Sequence, residues 1–441
     1  MKKLITAAMV VVLIASLATS VVSAQFTSVT SFQVQNLSAT QANVQLVFYD
    51  ASGNAVTAAT LSDTIAANSN KLYTQGNNTN LPSGFNGSVV VSSDQPVAAI
   101  GVQDSVSGSM HYQGTYGGFS ADAASDSFYL PTIMKAFYGY TTEVSVQNAG
   151  SSNVDVTVTY APGGYTDTKT GLKPGQVVRF NNASTTGMAN GYIGAATITT
   201  SSGGTVVAVV NQINAAAYQE QTYEGFSSAS SGTTLYTPVL MKAFYGFNTS
   251  VQVQNVGTAQ TTVTIIYSNG LTRTQTLSGG QGYLFTQGNE TGLPTSNWIG
   301  SARITSTASN IVAVVNQQNT TTGKAASYNA FATAATHYVG PNVMKAFYGF
   351  NTSVQVQNVG ATAAACTVTF APGGTSQTSP SALPQYGTYL FTQGNNSALG
   401  TSYIGAVDIT CAGQPFVAIV NQDGAAGAGD NAMAYDAIPA P

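Results

Sequence analysis

The sequence predicts an all-β protein: four tandem β-sandwich domains that follow a cleaved leader. Three observations predict it. The segment MKAFYGFNTSVQVQNVG occurs unchanged at residues 241–257 and 344–360, and a looser copy, MKAFYGYTTEVSVQNAG, spans residues 134–150. The copies start 107 and 103 residues apart, a period too long for a solenoid and right for one small domain. Within each period apolar residues recur at every second position, in seven or eight short runs separated by Gly, Asn, Ser and Pro, which is the arithmetic of a sandwich.

The leader comes first. Residues 1–24, MKKLITAAMVVVLIASLATSVVSA, have a basic start, an apolar centre and small residues at Val22 and Ala24, and read as a secretory signal peptide cleaved before Gln25. No other apolar run approaches the roughly 18 residues of a membrane helix. The expected product is secreted, extracellular or at the cell surface, with no membrane span after cleavage. Without Lys2 and Lys3 it carries ten basic and sixteen acidic residues, a net charge of about −6. That argues against nucleic acid, whose phosphates demand basic surface. Charged residues make up 6% of the chain, against about 25% in ordinary soluble domains. Charges are the usual means of keeping exposed sheet edges from pairing. A β-protein with so few of them either hides its edges or uses them.

Repeat one, residues 25–126, is the most diverged. It keeps a worn core, QFTSVTSFQVQNLS, at residues 25–38, with LYTQGN at 72–77 and GVQD at 101–104, but it has no MKAFYG. Repeat two spans 127–233, repeat three 234–336 and repeat four 337–441. Their common landmarks are VVNQ, ending at Gln212 and Gln317, with IVNQ ending at Gln422, and LFTQGN starting at Leu284 and Leu390, with RFNNAS in its place at Arg179. In SVQVQN, Val251 and Val253 point one way and Gln252 and Gln254 the other, as a half-buried strand requires. Cys366 and Cys411 are the two cysteines, both in strand-like runs of repeat four, and an oxidising exterior favours a disulfide between them.

The order NxG, a VTVxY strand, a Leu-Pro-Gly-like turn (LKPG at 172–175, LSGG at 277–280), then GSxxI and PVAAI or IVAVV, resembles the immunoglobulin-like, CARDB-type repeats of bacterial secreted cell-surface proteins. The resemblance covers the mature chain. It implies four tandem immunoglobulin-like β-sandwich domains serving as a stalk, an adhesive module or a unit of surface assembly, and it carries over no catalytic residue.

MKAFYG is the candidate site because it is the most closely kept segment. Lys135, Phe137 and Tyr138, with Lys242, Phe244 and Tyr245 and with Lys345, Phe347 and Tyr348, could form an assembly or ligand strip through aromatic stacking and cation–π contacts. The plainer account is that the aromatics fill a core or an inter-domain joint, and it is the expected one; it leaves the three equivalent lysines unexplained. VVNQ and TQGN are expected to bond local backbone in turns. The N-x-S/T sequons, among them Asn248, Asn289 and Asn351, are what chance gives in so polar a chain.

No catalytic residue, metal site or cofactor is expected. The histidines, His111 and His337, lie in different inter-repeat segments, and the four glutamates, Glu143, Glu220, Glu224 and Glu290, make no pair repeated between domains. Asp104, His111, Asp122 and Asp126 form the densest polar cluster and lack recognisable ligand spacing; the segment 423–430, DGAAGAGD, reads as a loop.

In repeats two to four an extra β-run, as in FYLPTIMKAFYG, precedes the VQN core; cleavage before Gln25 takes its counterpart from repeat one. The first domain then begins a strand short, exposing unpaired backbone and apolar core. The tail, residues 431–441, stops where a next domain would begin. The expected function is therefore a secreted structural protein that assembles with copies of itself, head to tail by strand complementation, into a filament, sheath or surface layer. Gln25, Phe26, Met433, Tyr435 and Ile438 are the candidate strand-exchange termini. The alternative is an adhesin or carbohydrate-binding stalk, with glycans or other surface components as partners.

Overall fold

The period-two runs become antiparallel strands in every repeat, and repeat two carries the complete set. The computed structural model describes residues 9–13, 27–107, 110–201, 203–424 and 429–440. In repeat two one sheet runs, edge to edge, Tyr165–Leu172, Val154–Ala161, Tyr192–Thr200, Ser127–Lys135 and Phe226–Ser227; the other runs Val177–Asn181, Thr141–Asn148, Val206–Asn214 and Gln219–Glu224. Val144 and Val146 from one sheet join Val156, Val158 and Ile198 from the other in a core without solvent access. Burying each such side chain is worth about 1.5–3 kcal/mol. Repeats one and four repeat this order, and repeat three does so except that its short edge strand is reduced to a single bridge between Tyr236 and Phe331, so the chain is four tandem β-sandwiches.

The proline in the first strand, Pro131, has no N–H for the ladder, and it sits where pairing with Tyr192–Thr200 slips between Leu130 and Ile133. Tyr223 repairs the break. Its hydroxyl donates to Thr132 O at 2.8 Å and accepts Thr132 N–H at 3.3 Å. Tyr328 and Tyr435 hold Val239 and Asn342 in the same way.

In repeat one the first-strand position is taken by Met9–Leu13, whose backbone pairs with Gly87–Ser93 on one side and Phe119–Ser120 on the other. Val11 and Val12 stand where Phe128 and Tyr129 stand in repeat two. The expected missing strand concerns a chain without residues 1–24; with them present, leader backbone fills the place.

The repeats close on themselves. Their last long strands, Met110–Gly117, Gln219–Glu224, Lys324–Asn329 and Ala432–Asp436, touch in order around an axis, and the fourth returns to the first. Gln33 Nε2 and Asn70 Nδ2 of repeat one both donate to Pro341 O of repeat four, at 2.6 and 2.9 Å. Ile100 of repeat one belongs to the apolar cluster of repeat four. A heterologous contact whose rotation closes gives a ring; here it closes at four copies within one chain.

Closure reverses the expected solvent face of VQVQN. Gln252, Gln254, Gln355 and Gln357 are all buried, because one repeat lays this strand against the other sheet of the preceding repeat. Gln254 Nε2 donates to Ala196 O at 3.1 Å and Gln357 Nε2 to Ala302 O at 3.4 Å. The strand is buried on both faces, one by core and one by a neighbour.

Candidate functional site

MKAFYG folds as the link between the first two strands, and its three parts do different things. The lysine serves structure. Lys135 Nζ donates to Thr185 O at 3.1 Å, Lys242 Nζ to Glu290 O at 2.6 Å, and Lys345 Nζ to Asn396 O at 2.6 Å. Each acceptor ends the short 3-10 turn that the TQGN or NNAS segment makes, where carbonyls without partners favour a cation. The three equivalent lysines are thereby explained.

The aromatic pair leads into a two-residue hairpin turn. Phe137 and Tyr140 exchange backbone hydrogen bonds at 3.0 and 2.9 Å around Tyr138 and Gly139, which both have positive φ, 47° and 85°. Repeats three and four repeat the turn at Tyr245 and Tyr348. Such turns ordinarily take Asn, Asp or Gly first. A tyrosine there costs about 1 kcal/mol. A Cβ at Gly139 would stand 2.8 Å from Asn214 Nδ2, so glycine serves the positive φ and leaves that amide in place.

The fold gives the tyrosine no burial in return. Tyr138, Tyr245 and Tyr348 are 86%, 81% and 88% exposed. Each ring is held edge-on by the preceding phenylalanine, with centroids 4.6–4.7 Å apart. The counterpart positions of repeat one fall within residues 14–26, outside the described residues. The expected assignment of these aromatics to core or joint is met in part by Phe244, packed against the repeat-three core, and not by the tyrosines.

All three tips lie on one face of the ring, and those of Tyr138 and Tyr245 sit beside the turns that lead into the axial strands. Asn214 and Asn319, at those turns, donate to Tyr138 O and Tyr245 O at 3.3 and 3.0 Å. Below the Tyr245 tip an open groove of 430 Å³ runs between repeats three and four, lined by the apolar Met241, Phe247 and Met433 and by the polar Asn351, Asn421 and Asp423. Tyr245 and Phe244 also line it.

A belt of amides beneath this face joins the repeats. Gln212 and Asn316 form a reciprocal pair at 3.1 and 2.8 Å; Gln317 Nε2 reaches Asn421 Oδ1 at 2.9 Å, and Asn211 Nδ2 reaches Gln103 Oε1 at 3.0 Å. These residues are the VVNQ motif and its worn copy GVQD, so the motif bonds other repeats where local backbone was expected. Inside the belt lies Glu220, fully buried and pushed up to about 8 by burial and by the charges of Asp430, Glu143 and Asp104. Glu143 is also raised by burial, which its pairing with Arg179, 3.3 Å away, opposes.

The other candidates are dispersed. His111 bonds Asp104 at 3.1 Å, while Asp122 lies beyond the far end of the eight-residue strand Met110–Gly117, so the four residues of that cluster do not converge. His337 bonds Asp408 at 2.5 Å in repeat four. Met433 and Tyr435 are buried and Ile438 pairs with Val339, all within repeat four; Gln25 and Phe26 lie outside the described residues. Cys366 and Cys411 form a disulfide. Among the described residues no helix is long and apolar enough to cross a membrane.

No protein-family model and no curated protein matches the chain. A solved structure described as a tetra-tandem repeat in the extending region of a large adhesion protein aligns with 99% of this chain and 100% of its own, at 13% identity and a TM-score of 0.11. At that TM-score the likeness carries nothing about arrangement or function.

Proposed function

We propose that this is an exported, non-enzymatic, adhesin-like protein of the cell surface or extracellular space, in which the four-repeat ring is a rigid carrier and the tyrosine hairpins grip carbohydrate. One observation carries the reading: the segment kept most closely between repeats presents, at a conformational cost, a tyrosine that is more than four-fifths exposed and packs only against the phenylalanine before it. Flat aromatic faces held edge-on by a second ring stack well on sugar rings. The near absence of surface charge suits a neutral glycan better than an ionic ligand. The test is binding of the secreted protein to immobilised polysaccharides, with Tyr138, Tyr245 and Tyr348 replaced together by alanine. Retention should fall at least tenfold with the melting temperature unchanged; equal retention would sink the reading.

Self-assembly by strand addition is the second reading, and the place held by Met9–Leu13 favours it. Loss of residues 1–24 would open a slot between Gly87–Ser93 and Phe119–Ser120 to a strand from another chain. The tail of a neighbour is a poor donor, because Met433, Tyr435 and Ile438 are already engaged in repeat four. Electron microscopy of the secreted material separates the two: single-chain particles fit the first reading and filaments the second.

A further inference from the structure

The ring has a second face, at the other end of the axial strands from the tyrosine tips. Four equivalent positions meet there, each following a buried tyrosine in its strand: Gly117, Glu224, Asn329 and Asp436. They line a cavity of 330 Å³ whose remaining walls come from the inter-repeat segments of all four repeats. We propose that this axial cavity binds a hard divalent cation, calcium by its chemistry, on the carboxylates of Glu224 and Asp436 and the amide oxygen of Asn329.

The oxygens are already oriented. Glu224 Oε1 accepts Gly117 N–H from repeat one, and Asp436 Oδ1 accepts Asn329 N–H from repeat three at 3.1 Å. Asn329 Nδ2 donates to Glu224 O at 3.0 Å, which turns its Oδ1 the other way. That oxygen is buried and has no partner, in a residue only 8% exposed. A buried amide oxygen without a donor, beside two carboxylates, is an oxygen set that suits a cation.

Among the described residues no cationic side chain compensates these groups. Neither carboxylate takes part in an ion pair among the described residues. The other ionisable groups that feel them are the phenols of Tyr116, Tyr328 and Tyr338, which carry no positive charge. Burial pushes Glu224 up to about 7, and burial and the Glu224 charge hold Asp436 well above the ordinary carboxylate range.

The donor set suits calcium. Two carboxylates and one amide give at most five oxygens, and calcium takes about six to eight at flexible angles, so waters in the open cavity complete the shell. Such a partly hydrated site matches the weak, millimolar range of extracellular calcium modules. Since all four repeats meet there, an ion would lock the ring, whatever the tyrosine face binds.

The experiment is thermal unfolding and equilibrium dialysis of the full secreted chain with calcium chloride or with chelator. Wild type should take up one ion per chain, saturably, and melt a few degrees higher with calcium. The isosteric double variant Glu224→Gln/Asp436→Asn should stay folded and lose both effects, and Asn329→Ala should weaken uptake by about tenfold. Absence of saturable uptake by folded wild type, or uptake retained by the double variant, would overturn the proposal. A double variant that is more stable than wild type in chelator, with no calcium response in either, would show that the carboxyls share only a proton.

Discussion

The carboxylate of Asp430, in repeat four, accepts the backbone N–H of Glu220, in repeat two, at 3.1 Å across the centre of the ring. The same carboxylate accepts Ala325 N–H of repeat three at 2.9 Å and Ala432 N–H at 3.1 Å. Its own N–H donates to His111 O of repeat one at 2.7 Å. One residue thus ties all four repeats, on the same face as the tyrosine tips.

Asp430→Ala would leave three buried N–H groups without an acceptor, and each costs about 1–3 kcal/mol. With partial rescue by water the expected loss is about 3 kcal/mol, read as a lower denaturant midpoint. Protease sensitivity of the inter-repeat segments should rise with it. Asp430→Asn keeps an acceptor oxygen and should lose about half as much. An alanine variant that melts with wild type would deny Asp430 its place in closure.

Glu220 gives the ring a pH dependence. Its folded-state value, about 8, is raised above the ordinary 4.5 by burial first and then by Asp430, Glu143 and Asp104. The folded form therefore holds a proton that the unfolded chain releases. Stability is full below about pH 4.5, declines as pH rises, and levels off above about 8. Glu143 and Asp430, also raised, slope the same way. Glu220→Gln should flatten the profile by the equivalent of about one proton and stabilise the protein at pH 8 by on the order of 2 kcal/mol. Denaturant titrations at pH 5 and pH 8 decide it; a gain confined to pH 5 contradicts the assignment.

The reciprocal amide pair of Gln212 and Asn316 should show coupling. Each single alanine variant strands a buried amide, while the double variant removes both, so the single losses should exceed additivity by about 1 kcal/mol. A double-mutant cycle measures the term, and simple additivity would mean that the VVNQ pairs do not join the repeats.

The sandwiches were legible because their information is local. Val251 and Val253 alternate with Gln252 and Gln254, and that period needs no knowledge of neighbours. What covers the other face of the strand is not local, and so Gln254 read as solvent-facing although it is buried on Ala196. The lysines of MKAFYG stand out as three equivalent charges in a chain with few, but their partner, a turn some 50 residues away, leaves no trace in the pattern around them. Ring closure was least visible. The tail resembles the end of every other repeat, so a sequence that closes and a sequence cut from an open array look alike. One signal pointed the right way: the polar pair of VVNQ recurs at matching strand positions, where a solvent-facing pair would have been free to drift.

The disulfide tests how independently repeat four stands. Cys366 and Cys411, 45 residues apart, are both buried and link two neighbouring strands of one sheet. In the chain-entropy model a loop of that length contributes about 4 kcal/mol. The other three repeats have no such link, so the double variant Cys366→Ala/Cys411→Ala should bring repeat four down towards them. Because repeat four also holds Asp430 and receives Gln33 of repeat one on Pro341, early unfolding there should open the ring at the junction of repeats one and four. Hydrogen exchange of the reduced or doubly substituted protein should then show lost protection in repeat four and in Thr27–Asn36 of repeat one together, with Asn248–Asn255 of repeat three still protected. Loss confined to repeat four would mean that the junction holds without its support, and uniform loss would mean that the four repeats unfold as one unit.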